Sequence, residues 1–163
     1  MQNLRQLCRY KSWADELIFD TIRDMPESER VKPRKIVFGS IQKTLHHVFA
    51  MDDVWRCHLQ NRPHPYTTRR PAECPEFETL WNQQQEMDQW YVDYAFNLDE
   101  AVSNEMVEFE FIGGGAGKMT RAEILIHVVN HTTYHRGHIG DMLYESGVEP
   151  PTTDFPVYLR TRA

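Results

Sequence analysis

The chain lacks several features that would narrow its function at once. It has three cysteines, Cys8, Cys57 and Cys74, scattered and without a C-x-x-C pair. An odd, scattered set gives no disulfide framework and suits a reducing cytoplasm, where each is expected to be a buried or inert thiol. No apolar run approaches the roughly 18 residues of a membrane-spanning helix. The opening MQNLRQLCRYKSWADE has no apolar stretch of the kind a signal peptide carries. The expectation is a cytoplasmic protein without a membrane partner. There is no Lys/Arg run either: 18 basic residues face 24 acidic ones, a net charge of −6. Phosphate contacts need clustered positive charge, so nucleic acid is not an expected partner. Glycine is scarce apart from GGGAG at 113–117, and Lys118 after it does not complete G-x-x-x-x-G-K-[ST], so this is not a phosphate loop.

What is present is an ordinary globular composition, 40% apolar and 26% charged, in 163 residues. That length fits one domain spanning 1–163 with a substantial core. Leu4, Leu7, Cys8, Trp13, Leu17, Ile18 and Ile22 follow helical spacing and predict a first helix over 2–24, stopped by Pro26. A charged connection follows to Pro33. Ser40 is a good N-cap for a second helix running to about Asn61, with Ile41, Leu45, Val48, Phe49, Trp55 and Leu59 on its apolar side. His46 and His47 both lie off the centre of that side, and periodicity does not choose between them. His58 and His64 read as surface or loop residues.

Residues 62–75 form a loop, because Pro63, Pro65, Pro71 and Pro75 forbid a continuous helix. It is long for a small domain, and such loops often line a site or close an interface. A third helix is predicted over 77–97. Its Trp81, Trp90, Tyr91 and Tyr94 are expected in the core or at a dimer interface more than in a pocket. Residues 106–112 alternate apolar and polar, the period of a strand. They predict a short hairpin with 116–119 as its return arm.

Thr120-Arg-Ala-Glu123 is a capping box that opens the last helix, 121–145. Gly147 stops it, with Pro150 and Pro151 beyond, and the final dozen residues are expected as an extended tail. Four long helical patterns and one β element predict an all-α four-helix bundle with a β-hairpin before the last helix. That helix holds four of the eight histidines: His127, His131, His135 and His138. The first three, at i, i+4 and i+8, form one slightly slanting stripe, each step turning about 40° past a full circle and rising about 6 Å. Adjacent members can share a divalent ion, whereas His127 and His135, about 12 Å apart along the axis, cannot. Spacing alone leaves the 127/131 and 131/135 pairs open.

Three segments together resemble the DinB/YfiT-like family, the damage-inducible bundle family whose members are read as metalloenzymes. They are Tyr10-Lys-Ser-Trp13-Ala-Asp; Ser40-Ile41 with Leu45-His46-His47-Val48, Asp52 and Trp55; and His127-Val-Val-Asn-His131-Thr-Thr-Tyr-His135-Arg136-Gly137 with Gly147, Pro150, Pro151 and Asp154. The resemblance implies an up-down-down-up bundle, often a homodimer, with three histidines joining the second and last helices around a metal. Carried over by position, the ligands are His47, His131 and His135. His127, His138 and Asp52 become supporting or pocket-lining candidates, with His138 standing where the family often has Gln. Asp52 lies five residues after His47, about 140° around an ideal helix, so only the resemblance suggests its role.

Three neutral imidazoles leave the ion its full charge and an open position. Zinc or nickel is the expected ion, with iron and manganese as further candidates. The resemblance implies an S-transferase using a low-molecular-weight thiol on a small electrophile. The alternatives are a stress-related metal- or small-molecule-binding protein without catalysis, and a metal-dependent hydrolase.

Overall fold

The computed structural model describes residues 1–161. Four long helices carry the fold: α1 (Gln2–Arg23), α3 (Ile41–Leu59), α4 (Phe77–Asn97) and α6 (Arg121–Glu145), with a short α2 (Glu27–Val31) between the first two. A further short helix, α5 (Glu100–Ser103), precedes the strands β1 (Met106–Glu110) and β2 (Ala116–Thr120). Ser40 caps α3 through the Lys43 amide, and Thr120 with Glu123 forms the reciprocal capping box on α6. Gly147, at φ 74°, ends α6 in the left-handed region that glycine tolerates.

Cross-helix contacts fix the directions. Arg5 near the start of α1 donates to the carbonyls of Ala95 and Leu98 at the far end of α4, while Arg23 pairs with Glu78 at its start, so these helices are antiparallel. Gln42 reaches Pro75 where α3 and α4 begin, and Tyr91 donates to the Asp52 carbonyl further along, so these two are parallel. Arg121 donates to Leu59 and His47 faces His131, so α3 and α6 are antiparallel. The order is up-down-down-up.

A parallel pair of neighbours forces a long return. The chain must travel back along α3, about 28 Å at 1.5 Å per residue, before α4 begins. Residues 60–76 make that crossover. Tyr66 donates to Asp53, the Arg69 carbonyl meets His47, and the Pro75 carbonyl meets Gln42, so the segment runs down α3 in reverse.

Beside a small cluster of Ala50, Met51 and Val54, the core has two large apolar clusters. One holds Leu4, Cys8, Trp55, Leu59, Met87, Tyr91, Ile124 and Val128; the other holds Ile18, Ile22, Ile41, Leu45, Leu80, Trp81, Ile139 and Leu143. Between them in each helix sit buried polar residues: Lys11 and Asp15 in α1, Asp52 in α3, Gln84 and Asp88 in α4, Thr132 and Arg136 in α6. Lys11 is ion-paired to Asp15 (2.9 Å), Asp52 (2.8 Å) and Asp88. None of these residues stood out as a group in the sequence.

The strand ends at Glu110, two residues earlier than its alternation suggested. Gly113, Gly114 and Gly115 all take positive φ to turn the chain. Phe109 pairs with Gly117 across the hairpin, and its ring packs on the glycine on one side and on Trp55 (4.9 Å) on the other. A Cβ at position 117 would lie 2.5 Å from the Phe109 ring. Gly117→Ala is therefore expected to displace that ring and destabilise the fold by about 1–3 kcal/mol through overpacking, read as a lower urea midpoint at unchanged m-value.

The extended tail expected after Pro151 is corrected. Phe155–Arg160 forms a seventh helix, α7, with Pro156 in its first turn, where a fixed φ and a missing N–H suit a helix start. It packs on α1: Tyr10 meets Phe155 and Tyr158, and its hydroxyl donates to the Thr153 carbonyl. The last two residues of the expected tail, 162 and 163, lie outside the described residues. No helix among those described is long and apolar enough to cross a membrane.

Candidate metal centre

His47 projects from the middle of α3, and His131 and His135 lie one turn apart on α6. Because the two helices cross antiparallel, the three rings converge. The His131 Nε2 lies 3.2 Å from the His47 Nε2 and 3.1 Å from the His135 Nε2, and one nitrogen from each ring falls within a 4.8 Å group. Three ligands at about 2.1 Å from one ion stand about 3.0 Å apart at right angles and about 3.4 Å apart at tetrahedral angles. The two measured spacings fall between these limits.

The proton inventory also fits a cation. The His47 Nδ1–H donates to the Arg69 carbonyl at 2.7 Å, which leaves its Nε2 as a bare lone pair. A neutral His131 has at most one hydrogen on Nε2 and cannot supply both of its close contacts. Extra protons are opposed first by burial; the neighbouring rings add to it at His131, pushed down to about 2, and at His135, pushed down to about 4, while the Arg69 and Arg70 charges add to it at His47, also pushed down to about 4. A divalent ion is the species that takes up three such converging lone pairs.

Phe38, between α2 and α3, stacks on His47 at 3.9 Å between ring centroids and meets His135 edge-on. No periodicity points to Phe38, because an aromatic outside the long helices has no period to betray it. The histidines open onto a cavity of about 680 Å³ whose walls include Phe38, Met51, Trp55, Phe109, Phe111 and Ile112. Arg69 and Arg70 of the crossover line it too, so the proline-rich loop does line the site, as its length suggested.

The remaining candidates separate. His127 lines the cavity, 4.8 Å from Trp55 and 5.7 Å from His131 between ring centroids, outside the three-nitrogen group. His138 packs against Tyr134 and His135 and neither joins the group nor lines the cavity. Asp52 is fully buried and turned to Lys11 and Gln84 rather than to the cavity. His46 is buried, not solvated, and His58, read as a surface residue, lines the cavity. The α4 aromatics stay out of it: Trp81 and Tyr91 are core residues, and Trp90 stacks on Tyr94.

Comparisons with known proteins bear on the fold and the family. The chain is 28% identical over 160 residues to the protein DinB of Bacillus subtilis (strain 168), covering 94% of this chain and 92% of that one. Its fold matches the crystal structure of a DinB-like protein from Bacillus cereus with a TM-score of 0.69, over 93% of this chain and 95% of the other, at 14% identity. The sequence profile described as the DinB family matches residues 1–162, essentially the whole bundle with its crossover and hairpin, and the chain belongs to the DinB family.

Proposed function

We propose that this protein is a divalent-metal-dependent enzyme that joins a low-molecular-weight thiol to a small electrophile, with His47, His131 and His135 as the ligands. The observation that carries the reading is the convergence of three neutral imidazoles on the wall of a largely apolar cavity, with no fourth His, Cys, Asp or Glu in the group among the described residues. Zinc or nickel is the expected ion.

A bound divalent ion at an open site lowers the pKa of a thiol there and makes thiolate available near neutral pH. The chain itself supplies the rest. Arg69 and Phe38 hold His47 in its tautomer and orientation. Trp55 and Phe109 offer apolar faces that exclude water from the reacting groups. His127, kept neutral near pH 7 by burial, presents a ring nitrogen that can take the thiol proton. The sulfur then forms its bond to the electrophilic carbon, and the leaving group departs with the electron pair.

The sulfur must come from a small molecule. None of the three cysteines lines the cavity, and burial raises all of them, Cys8 to about 12. The test is a panel of thiols and electrophiles with metal-loaded protein, read by mass spectrometry of the adduct. Thiol-dependent conjugation that disappears in His131→Ala is the expected result. Tight metal binding with no turnover across the panel would instead make this a non-catalytic binding protein, and ester cleavage without thiol would make it a hydrolase.

A further inference from the structure

The crossover places two cations, Arg69 and Arg70, at the cavity. The Arg70 guanidinium lies over the Phe38 ring, 5.8 Å from its centroid, and Arg69 adjoins it, tied to the site by its own carbonyl. Among the described residues neither guanidinium has a carboxylate within ion-pair distance. Among the same residues Arg23, Arg34, Arg56, Arg62, Arg121 and Arg136 each meet one, whereas Arg5, Arg9, Arg30 and Arg160 do not, so what sets Arg69 and Arg70 apart is that they line the cavity. The cavity lining contains a single carboxylate, Glu110, against these two guanidiniums, and most of the rest is apolar or aromatic. A guanidinium is a weakly hydrated planar fork whose N–H groups match the paired oxygens of carboxylates and sulfonates.

We propose that the cavity takes a small organic anion, its apolar body against Trp55, Phe109 and Phe111 and its anionic group at Arg69 and Arg70. The inference rests on reading this cavity as the substrate site; it does not require the metal to be catalytic. It names two specificity-determining residues and divides cosubstrates by charge. A neutral molecule of the same shape fills the apolar part and leaves the guanidiniums to water.

The test uses a matched pair of fluorescent probes on the full chain, anilinonaphthalene sulfonate and neutral N-phenylnaphthylamine, which share a skeleton and differ by the sulfonate. The wild-type protein is expected to bind the sulfonate about tenfold tighter, the size of a charge-assisted contact at a partly solvated site. The preference should narrow as salt is added and persist after chelator treatment. In Arg69→Gln/Arg70→Gln it should vanish while the neutral probe binds as before. Equal binding of the two probes by wild type, a preference that ignores salt, or one retained by the double variant would overturn the proposal. So would a preference that appears only with metal bound, because the ion would then hold the anion. A protein that loads no metal yet keeps an arginine-dependent preference would overturn the metal reading and support this one. Salt dependence is measured on wild type, so the proposal stays testable if the double variant does not fold.

Discussion

His131→Ala is expected to abolish metal retention. Its Nε2 is the one atom close to both other ring nitrogens, so truncation removes a ligand and separates the remaining two. Elemental analysis of protein made without a histidine tag should give about one ion per wild-type chain and none per variant chain, an affinity loss beyond the roughly hundredfold upper end for removing a mere supporting contact. Thermal stability gives a second readout. Metal at a thousandfold over its dissociation constant stabilises the folded state by about 4 kcal/mol, or about 10 °C for a chain of this size. The wild type should show that rise and His131→Ala should not. His127→Ala, which truncates a cavity residue outside the group, should load normally. Equal metal content in wild type and His131→Ala would sink the assignment.

The helices themselves were legible because their stripes are strong. The predicted third helix, 77–97, coincides with α4, and the capping box marked the first turn of α6. The site was legible only to a point. His46 and His47 could not be told apart by period, since α3 is buried almost all the way round. The choice is made by Arg69 and Phe38, which arrive from segments distant in sequence. The 131/135 pair could not be chosen over 127/131 from one stripe either, because the answer is the height at which α3 crosses α6. Both were reached through resemblance, not spacing. The tail failed because Phe155–Arg160 is too short a segment to show a period. The polar layer, by contrast, had left a signal. Lys11 and Asp15 occupy the same stripe as Leu4, Cys8, Ile18 and Ile22, and Asp52 stands between Val48 and Trp55 on the apolar side of α3. Charged residues on core stripes of separate helices must meet across the bundle axis to avoid unpaired burial. That rule, applied to all four helices together, would have found the cluster.

Lys11→Met should therefore be among the most damaging single changes outside the metal centre. The substitution keeps the buried stem and removes the charge, leaving Asp15, Asp52 and Asp88 in the core with Arg136, 3.8 Å from Asp15, as the remaining cation of the layer. Removing one partner from a buried ion pair costs about 3–5 kcal/mol, against about 5–15 kcal/mol for a whole domain. Adding Asp52→Asn and Asp88→Asn to Lys11→Met should recover part of the loss, which a simple packing defect would not show. Asp88 carries a pH signature as well. Burial and then the neighbouring Asp15 and Asp52 carboxylates outweigh Lys11 and push Asp88 up to about 7 from an ordinary 3.8. A raised carboxyl contributes stability that is complete below its unfolded pKa and lost as pH rises through the folded one, here between about pH 4 and about pH 7. The histidines act in the opposite sense, since burial lowers them and their contribution is lost on acidification. The clean observable is thus the difference between wild type and Asp88→Asn in metal-free protein. The variant should gain on wild type as pH rises through that window, by up to about 1.4 kcal/mol per unit. A difference that stays constant from end to end would mean that Asp88 is ionised throughout and that Lys11 outweighs burial and the neighbouring carboxylates.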